Sequence, residues 1–306
     1  MKTSTPLPTK TTATTIRINT RRRVADRGFT LAVIACGVLA VIPLLSVVWT
    51  TVSKGLGRID VAFFTQSMRG ITDAGGGALH AIMGTLLITC AATLVAVPIA
   101  IGSALWLVEY ADNATTPAIK TLARTVRTVI DVMAGIPSIV AGLFVYAVIA
   151  LTVGPGYRSG LAGAFALVII MVPVVERSGE EVLARVPAEL HEAALALGVP
   201  KWRVILKVVL PTALPGLVST LLLGVSRIVG ETAPLLLVAG FTDSMNYDLT
   251  SGRMVSLPVY VYSQWQNKGV DAAAYDARAW SAALVLLLGV VLLHTLARLI
   301  VRGRKQ

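Results

Sequence analysis

The sequence predicts an all-α, polytopic transmembrane helical bundle of six spans, on three observations. Hydrophobic residues make up 55% of the chain and charged residues 14%, too few charges to cover a water-facing surface. The apolar residues fall in long blocks instead of short amphipathic stripes, the arrangement that a lipid solvent selects. The formal charge of +11 gathers at the chain ends and in the segments between blocks. Charge so placed sets membrane topology and makes no continuous surface for a nucleic acid.

Residues 1–28 form a Thr-rich basic tail, with Lys2, Lys10, Arg17, Arg21, Arg22, Arg23 and Arg27, whose composition predicts a disordered cytoplasmic segment. The first apolar block, 29–52, exceeds a signal-peptide core and reads as a retained span. Arg21 with Arg22 imitates a twin-arginine signal, and residues 33–36 imitate a lipoprotein cleavage box. Cleavage at Cys36 would leave an apolar stretch behind it, which argues against both signals. Crossing about 30 Å of hydrocarbon takes about 20 apolar residues, and the further spans are predicted over 79–108, 129–153, 161–175, 214–240 and 279–301. The fourth is short and continues as a helix into water from Glu176. Cys36 and Cys90 lie within blocks, as small buried hydrophobes would, and imply no disulfide or metal framework. Pro137, Pro173 and Pro234 each remove a helix hydrogen bond and predict kinks, either packing bends or hinges.

Counting cations on either side fixes the expected orientation. With the N-terminus inside, the tail cations are joined by Lys120, Arg124, Arg127, Arg177, Arg185, Lys201, Arg203 and Lys207, and by the C-terminal Arg298, Arg302, Arg304 and Lys305. The outer segments hold Lys54, Arg58, Arg69, Arg158, Arg253, Lys268 and Arg278. Both termini are therefore expected in the cytoplasm, making the chain a multi-pass protein of the cytoplasmic membrane. Tyr247, Tyr260, Tyr262, Trp265 and Tyr275 crowd the last outer loop, as an anchoring belt or as a docking surface for another protein. No internal repeat is evident, so an inverted-repeat carrier gains no support.

The segment at about 176–213 holds the strongest local pattern. Pro187 suits a first helical turn, and Glu189 and Glu192 complement the dipole of that turn. Leu190, Ala193, Ala194 and Leu197 then recur as one stripe of mostly small residues, and Gly198 stands where a left-handed cap is wanted. A second helix is expected from Pro200, with Lys201, Arg203 and Lys207 holding it across the inner membrane face. By periodicity alone this is an amphipathic connector on lipid headgroups or a docking element. Glu192, Ala193, Ala194, Gly198, Leu210 and Pro211 resemble the EAA signature of bacterial ABC-importer permeases, with Val208 where that family usually has Ile. The resemblance implies a MetI-like permease fold in which this loop is a coupling helix docked on a separate ATPase. No phosphate-binding loop of the G-x-x-x-x-G-K-[ST] form occurs in the chain, so energy from ATP would have to come from a partner.

Arg227 lies near the middle of the fifth span, where an ionised side chain costs at least about 2.5 to 3.5 kcal/mol unless it faces protein or water. At 100° per residue Thr220, Gly224, Arg227, Glu231 and Pro234 share one helix face. They either pin neighbouring helices through an Arg227–Glu231 pair or present a cation to a passing anion. The stretches GETAPLLL (230–237), AGIPSIVAGLF (134–144) and SLPVYVY (256–262) resemble the PstA-type permeases of phosphate ABC importers, over the third to sixth spans. Arg177 matches a basic position of that family and equally fits ordinary positive-inside charge.

The resemblance implies inward phosphate transport, with the pathway expected at Arg227, Glu231 and Thr220 of the shared helix face and at Arg177. It also implies a PstC-type partner permease, two copies of a PstB-type ATPase and a PstS-type phosphate-binding protein outside. No cofactor or metal would be bound by this chain; ATP and Mg would belong to the partner ATPase, and the chain would be no enzyme. Glu231 would accept a hydrogen bond from the proton that phosphate retains near neutral pH and that sulfate lacks. The alternatives are the same machine with another oxyanion or polar solute as cargo, an ion-coupled secondary carrier, and a membrane sensor.

Overall fold

The computed structural model describes residues 20–303 apart from 72–74, 113 and 270. Residues 1–19 of the expected tail lie outside the described residues, and helix α1 (Thr20–Gly55) begins ahead of the first apolar block. Two compact units divide the chain at residues 50 and 51. In the first, α1 has no buried face, as expected of a helix solvated by lipid or by another subunit.

The second unit opens with a 3₁₀ turn (Leu56–Arg58) and α2 (Val61–Thr65), capped by Asp60, whose Oδ1 accepts from the Phe63 N–H at 2.7 Å. Next come α3 (Leu79–Trp106), which ends in a π-turn (Leu107–Ala111), α4 (Pro117–Gly135), α5 (Ser138–Thr152), α6 (Gly160–Ala184) and α7 (Ala188–Ala196). Helix α8 (Lys201–Val204) passes through a second π-turn (Ile205–Val209) into α9 (Leu210–Val229). Then follow α10 (Ala233–Val238), α11 (Leu257–Gln266) and α12 (Ala272–Gly303).

Among the described residues five helical runs are long and apolar enough to cross a membrane, and α4 with α5 makes a sixth only as a pair bent by 106°. The third span, expected as one helix over 129–153, is thus broken. Ile136 and Pro137 take extended ψ values of 127° and 135°. Proline cannot donate to the helix ladder and pushes the residue before it out of the α region. The fifth span breaks too: α9 stops at Gly230 and α10 restarts with Pro234 in its first turn, where the missing N–H costs least. Pro173 lies inside a continuous α6.

Helix α6 is the hub, packed against α3, α4, α5, α9 and α10. Small buried residues make this possible, among them Ala92, Ala96 and Ala100 on α3 and Ala162, Ala164 and Ala166 on α6, because they let backbones approach closely without a hydrophobic drive between helices. Two expectations are corrected by this packing. Cys36 and Cys90 point outward and are exposed. Tyr260 belongs to the core, edge-on to His80 with ring centroids 5.4 Å apart, whereas Tyr247, Tyr262 and Trp265 are exposed as an interfacial belt would be. In the loop between α10 and α11, the Asp248 carboxylate accepts from Ser251 Oγ at 2.6 Å and from Thr250 Oγ1 at 2.7 Å. Those hydrogen bonds pull its pKa down to about 2.

Candidate docking loop and translocation cavity

The loop after α6 folds much as its residues dictate. Pro187 occupies the N-cap of α7, Glu189 sits in the first turn, and Gly198 follows with φ +75°, a conformation nearly closed to residues with a Cβ. No residue of α7 is buried. Leu190, Glu192, Ala193, Leu195 and Leu197 face outward, Leu197 at 83% exposure. Ala194 turns the other way and packs on a cluster of Ala104, Leu183 and Val204.

The second half of the loop differs from expectation. Instead of lying flat, α8 runs through its π-turn into α9 as one helix from Lys201 to Val229. Pro211 explains the detour: a proline in the helix removes the bond its N–H would make, and the extra residue of the π-turn just before it absorbs the mismatch. Leu210 thereby packs on the same cluster as Ala194, while Pro211 is exposed.

Between α4, α5, α6 and α9 lies a cavity of about 270 Å³ lined in part by Ile136, Ser138, Pro173, Arg177 and Arg227. Ile136 and Ser138, on either side of Pro137 at the break, form part of its wall. Arg227 is 52% exposed and pairs with Glu231, itself 8% exposed, while Arg177 pairs with Asp131 of α4. Two guanidinium groups from different helices therefore reach one cavity, each already partnered by a carboxylate. Such a pair can offer planar, charge-assisted hydrogen bonds to an oxyanion without presenting a naked double positive charge. Of the predicted stripe, Arg227 faces the cavity, Gly224 meets Val175 and Met171 of α6, and Thr220 is buried without lining the cavity.

A second cavity, of about 440 Å³, is lined by Asp112, Lys120, Arg124, Arg127 and Asp131, among others. Arg127 Nη2 donates to Glu180 Oε1 at 2.6 Å and to Asp112 Oδ1 at 2.9 Å, tying α4 to α6 and to the end of α3. Sequence reasoning missed Asp131, Glu180 and Asp112 because their partners come from other helices, and no spacing rule connects them. Glu176, from which the fourth span is expected to continue into water, is buried instead, and among the described residues its Oε1 has no hydrogen-bond partner. Arg278 was counted with the outer loop but is fully buried, its Nε donating to Gln264 Oε1 at 2.9 Å and its guanidinium lying 4.4 Å from the Tyr275 ring. Among the described residues no group of three or more His, Cys, Asp and Glu could hold a metal ion.

A bundle of broken apolar helices with a small exposed helix projecting from one end has the form of a membrane subunit of a transport system. The chain belongs to the family of binding-protein-dependent transport system inner membrane components, whose model matches residues 116–306. It is 40% identical over 283 residues to phosphate transport system permease protein PstA 1 of Mycobacterium tuberculosis (strain CDC 1551 / Oshkosh), covering 92% of this chain and 90% of that one. To the PstA proteins of Mycobacterium leprae and Yersinia pestis it is 38% and 36% identical, over 89% and 86% of this chain and 86% and 85% of theirs. Its fold is also that of solved ABC-transporter subunits. One is a bacterial alginate ABC transporter (TM-score 0.64, 14% identity, 93% of this chain and 98% of the other). Another is the MetNI methionine transporter in inward-facing form (TM-score 0.55, 21% identity, 74% and 94%).

Proposed function

We infer that the chain is the membrane-spanning permease subunit of an ATP-driven importer and moves inorganic phosphate inward across the cytoplasmic membrane. The observation that carries the cargo is the meeting of Arg177 and Arg227 at one cavity, where Arg227 is paired with the buried carboxylate of Glu231 behind the cavity wall. Similarity to PstA proteins along nearly the whole chain supports the same reading. Arg227 and Arg177 hold the anion's charge, and Glu231 receives the hydrogen bond of the protonated oxygen, which sulfate cannot supply. Thr220 supports the helix behind Arg227 and does not touch the anion.

The exposed α7, with Glu192, Ala193, Ala194 and Gly198, is the coupling helix, and the chain has no ATPase site of its own. Its ATP and Mg are bound by two copies of a PstB-type ATPase, its second half is a PstC-type permease, and a PstS-type protein delivers phosphate outside. Both termini and α7 face the cytoplasm.

Uptake of radiolabelled phosphate by the assembled system in proteoliposomes tests the reading. Arg227→Ala is expected to lower the rate at least about tenfold, the loss of one charge-assisted contact made during passage. Glu231→Gln is expected to let sulfate compete, and selectivity unaltered in that variant would discard the carboxylate's role. Phosphate uptake that continues without ATP on a proton gradient alone would put the chain among ion-coupled carriers.

A further inference from the structure

One carboxylate, unused by the cavity, sits where the docking loop meets the second span. Glu109 lies in the π-turn at the end of α3 and is only 4% exposed. Its Oε1 is 2.8 Å from His191 Nε2 on α7, the only side-chain hydrogen bond that α7 makes among the described residues. Its backbone carbonyl accepts from Lys201 Nζ, at the start of α8, and the same ammonium lies 4.6 Å from the Tyr110 ring. That carbonyl belongs to the last turn of the helix, so the lysine also caps the end of α3. Residues on both sides of the Gly198 turn thus grip a single residue of a third element.

The apolar contacts converge on the same place. His191 and Ala194 are three residues apart and share the inner side of α7, and Ala194 and Val199 pack on the cluster that includes Ala104 of α3. The i→i+5 bond of the π-turn, Asp112 N–H to Leu107 carbonyl at 3.1 Å, keeps the end of helix α3 locally widened at this point. The second π-turn, 205–209, contributes Val209 to the cluster against which Val108 of the first packs. Such turns cost helix stability and persist mostly where a site uses them.

We propose that Glu109 is a positioning residue that fastens the coupling helix to the inner end of the second span, so that the two move as one body when the ATPase pair closes. The covalent chain links α7 only to α6 and α9; the Glu109 clamp adds α3, which packs along α6. Motion imposed on α7 then enters the bundle through three helices, and the cavity between α4, α5, α6 and α9 is remodelled from its walls. The proposal rests on α7 being the coupling helix.

The test uses the whole assembled complex in proteoliposomes, with ATP hydrolysis and phosphate uptake read together. In Glu109→Ala the ATPase subunit is expected to co-purify and hydrolyse ATP, while phosphate moved per ATP falls about tenfold, the loss of one charge-assisted hydrogen bond. Glu109→Gln, whose amide oxygen still accepts from His191, is expected to restore most of it. A second arm places cysteines at 109 and 191 in a Cys36→Ala, Cys90→Ala background and joins them with a short bis-maleimide. Before cross-linking, the double-cysteine complex is expected to move as little phosphate per ATP as Glu109→Ala, and the cross-link is expected to restore it. Coupling that stays low after cross-linking, or a Glu109→Ala complex as tightly coupled as the parent, would overturn the proposal. If the parent complex shows no ATP-driven phosphate uptake, the functional reading fails and the clamp is not what failed.

Discussion

At the scale of single residues, Gly198 shows how one backbone angle shapes the docking loop. Its φ of +75° closes α7 and turns the chain into α8 within a few residues. A Cβ in that conformation costs about 1 to 2 kcal/mol, and asparagine tolerates it better than other side chains. Space is not the constraint, because nothing lies within 4 Å of where the Cβ would be. Substitution should therefore act through strain alone: retention of the ATPase on the purified complex is expected to fall in the order Gly, Asn, Ala, Val at position 198. A valine variant that holds the ATPase as well as glycine does would show that the turn tolerates another geometry. The glycine was legible in the sequence because its role is local, set by the helix it ends. Glu109 and His191 were not, because 82 residues separate them and neither carries a pattern that names the other.

At the scale of elements, the broken spans matter more than the straight ones. Helices α5 and α10, the segments that follow the two breaks, pack on each other, and at Gly142 a Cβ would stand 2.7 Å from the Pro234 Cα. Backbone is the obstacle there, so it cannot rotate aside as a side chain would. Gly142→Leu is expected to destabilise the bundle by about 1 to 3 kcal/mol, the usual cost of overpacking, and to lower the melting temperature of the purified subunit. Gly102, with open space around the corresponding position, should accept the same change with little effect, and equal losses at both sites would refute the packing account. Apolar block length found the five long spans but not all their ends: 161–175 continues to Ala184, the span expected over 214–240 runs from Lys201 to Val229, and the one expected over 279–301 begins at Ala272. It carried the third as one span kinked at Pro137, where the bend is 106°, because hydropathy reports which residues avoid water and says nothing of the direction in which a helix leaves a proline. The flat second helix of the docking loop failed for a related reason: its cations suit a surface helix, but continuity with α9 through a π-turn satisfies the backbone without a second break.

At the scale of the whole molecule, charge and architecture can be set against each other. Arg127 joins Glu180 near the end of α6 that leads into α7, and Lys201 reaches Glu109 at the same level. At the opposite end of α6, Arg158 donates to the Leu237 carbonyl beside Gly240 and Arg253. Arg127, assigned inside by counting, thus lies toward one end of α6, and Arg158 and Arg253, assigned outside, lie at the other. Because moving a cation-rich segment across the membrane is unfavourable, the α7 end should stay in the cytoplasm. In a background lacking Cys36 and Cys90, a membrane-impermeant maleimide applied to intact cells is expected to label Gln266→Cys, exposed at the end of α11, and to spare Ala196→Cys until the membrane is opened. The reverse order of labelling would place α7 outside, beyond the reach of any ATPase. It would therefore remove the coupling helix and the Glu109 clamp together with the topology.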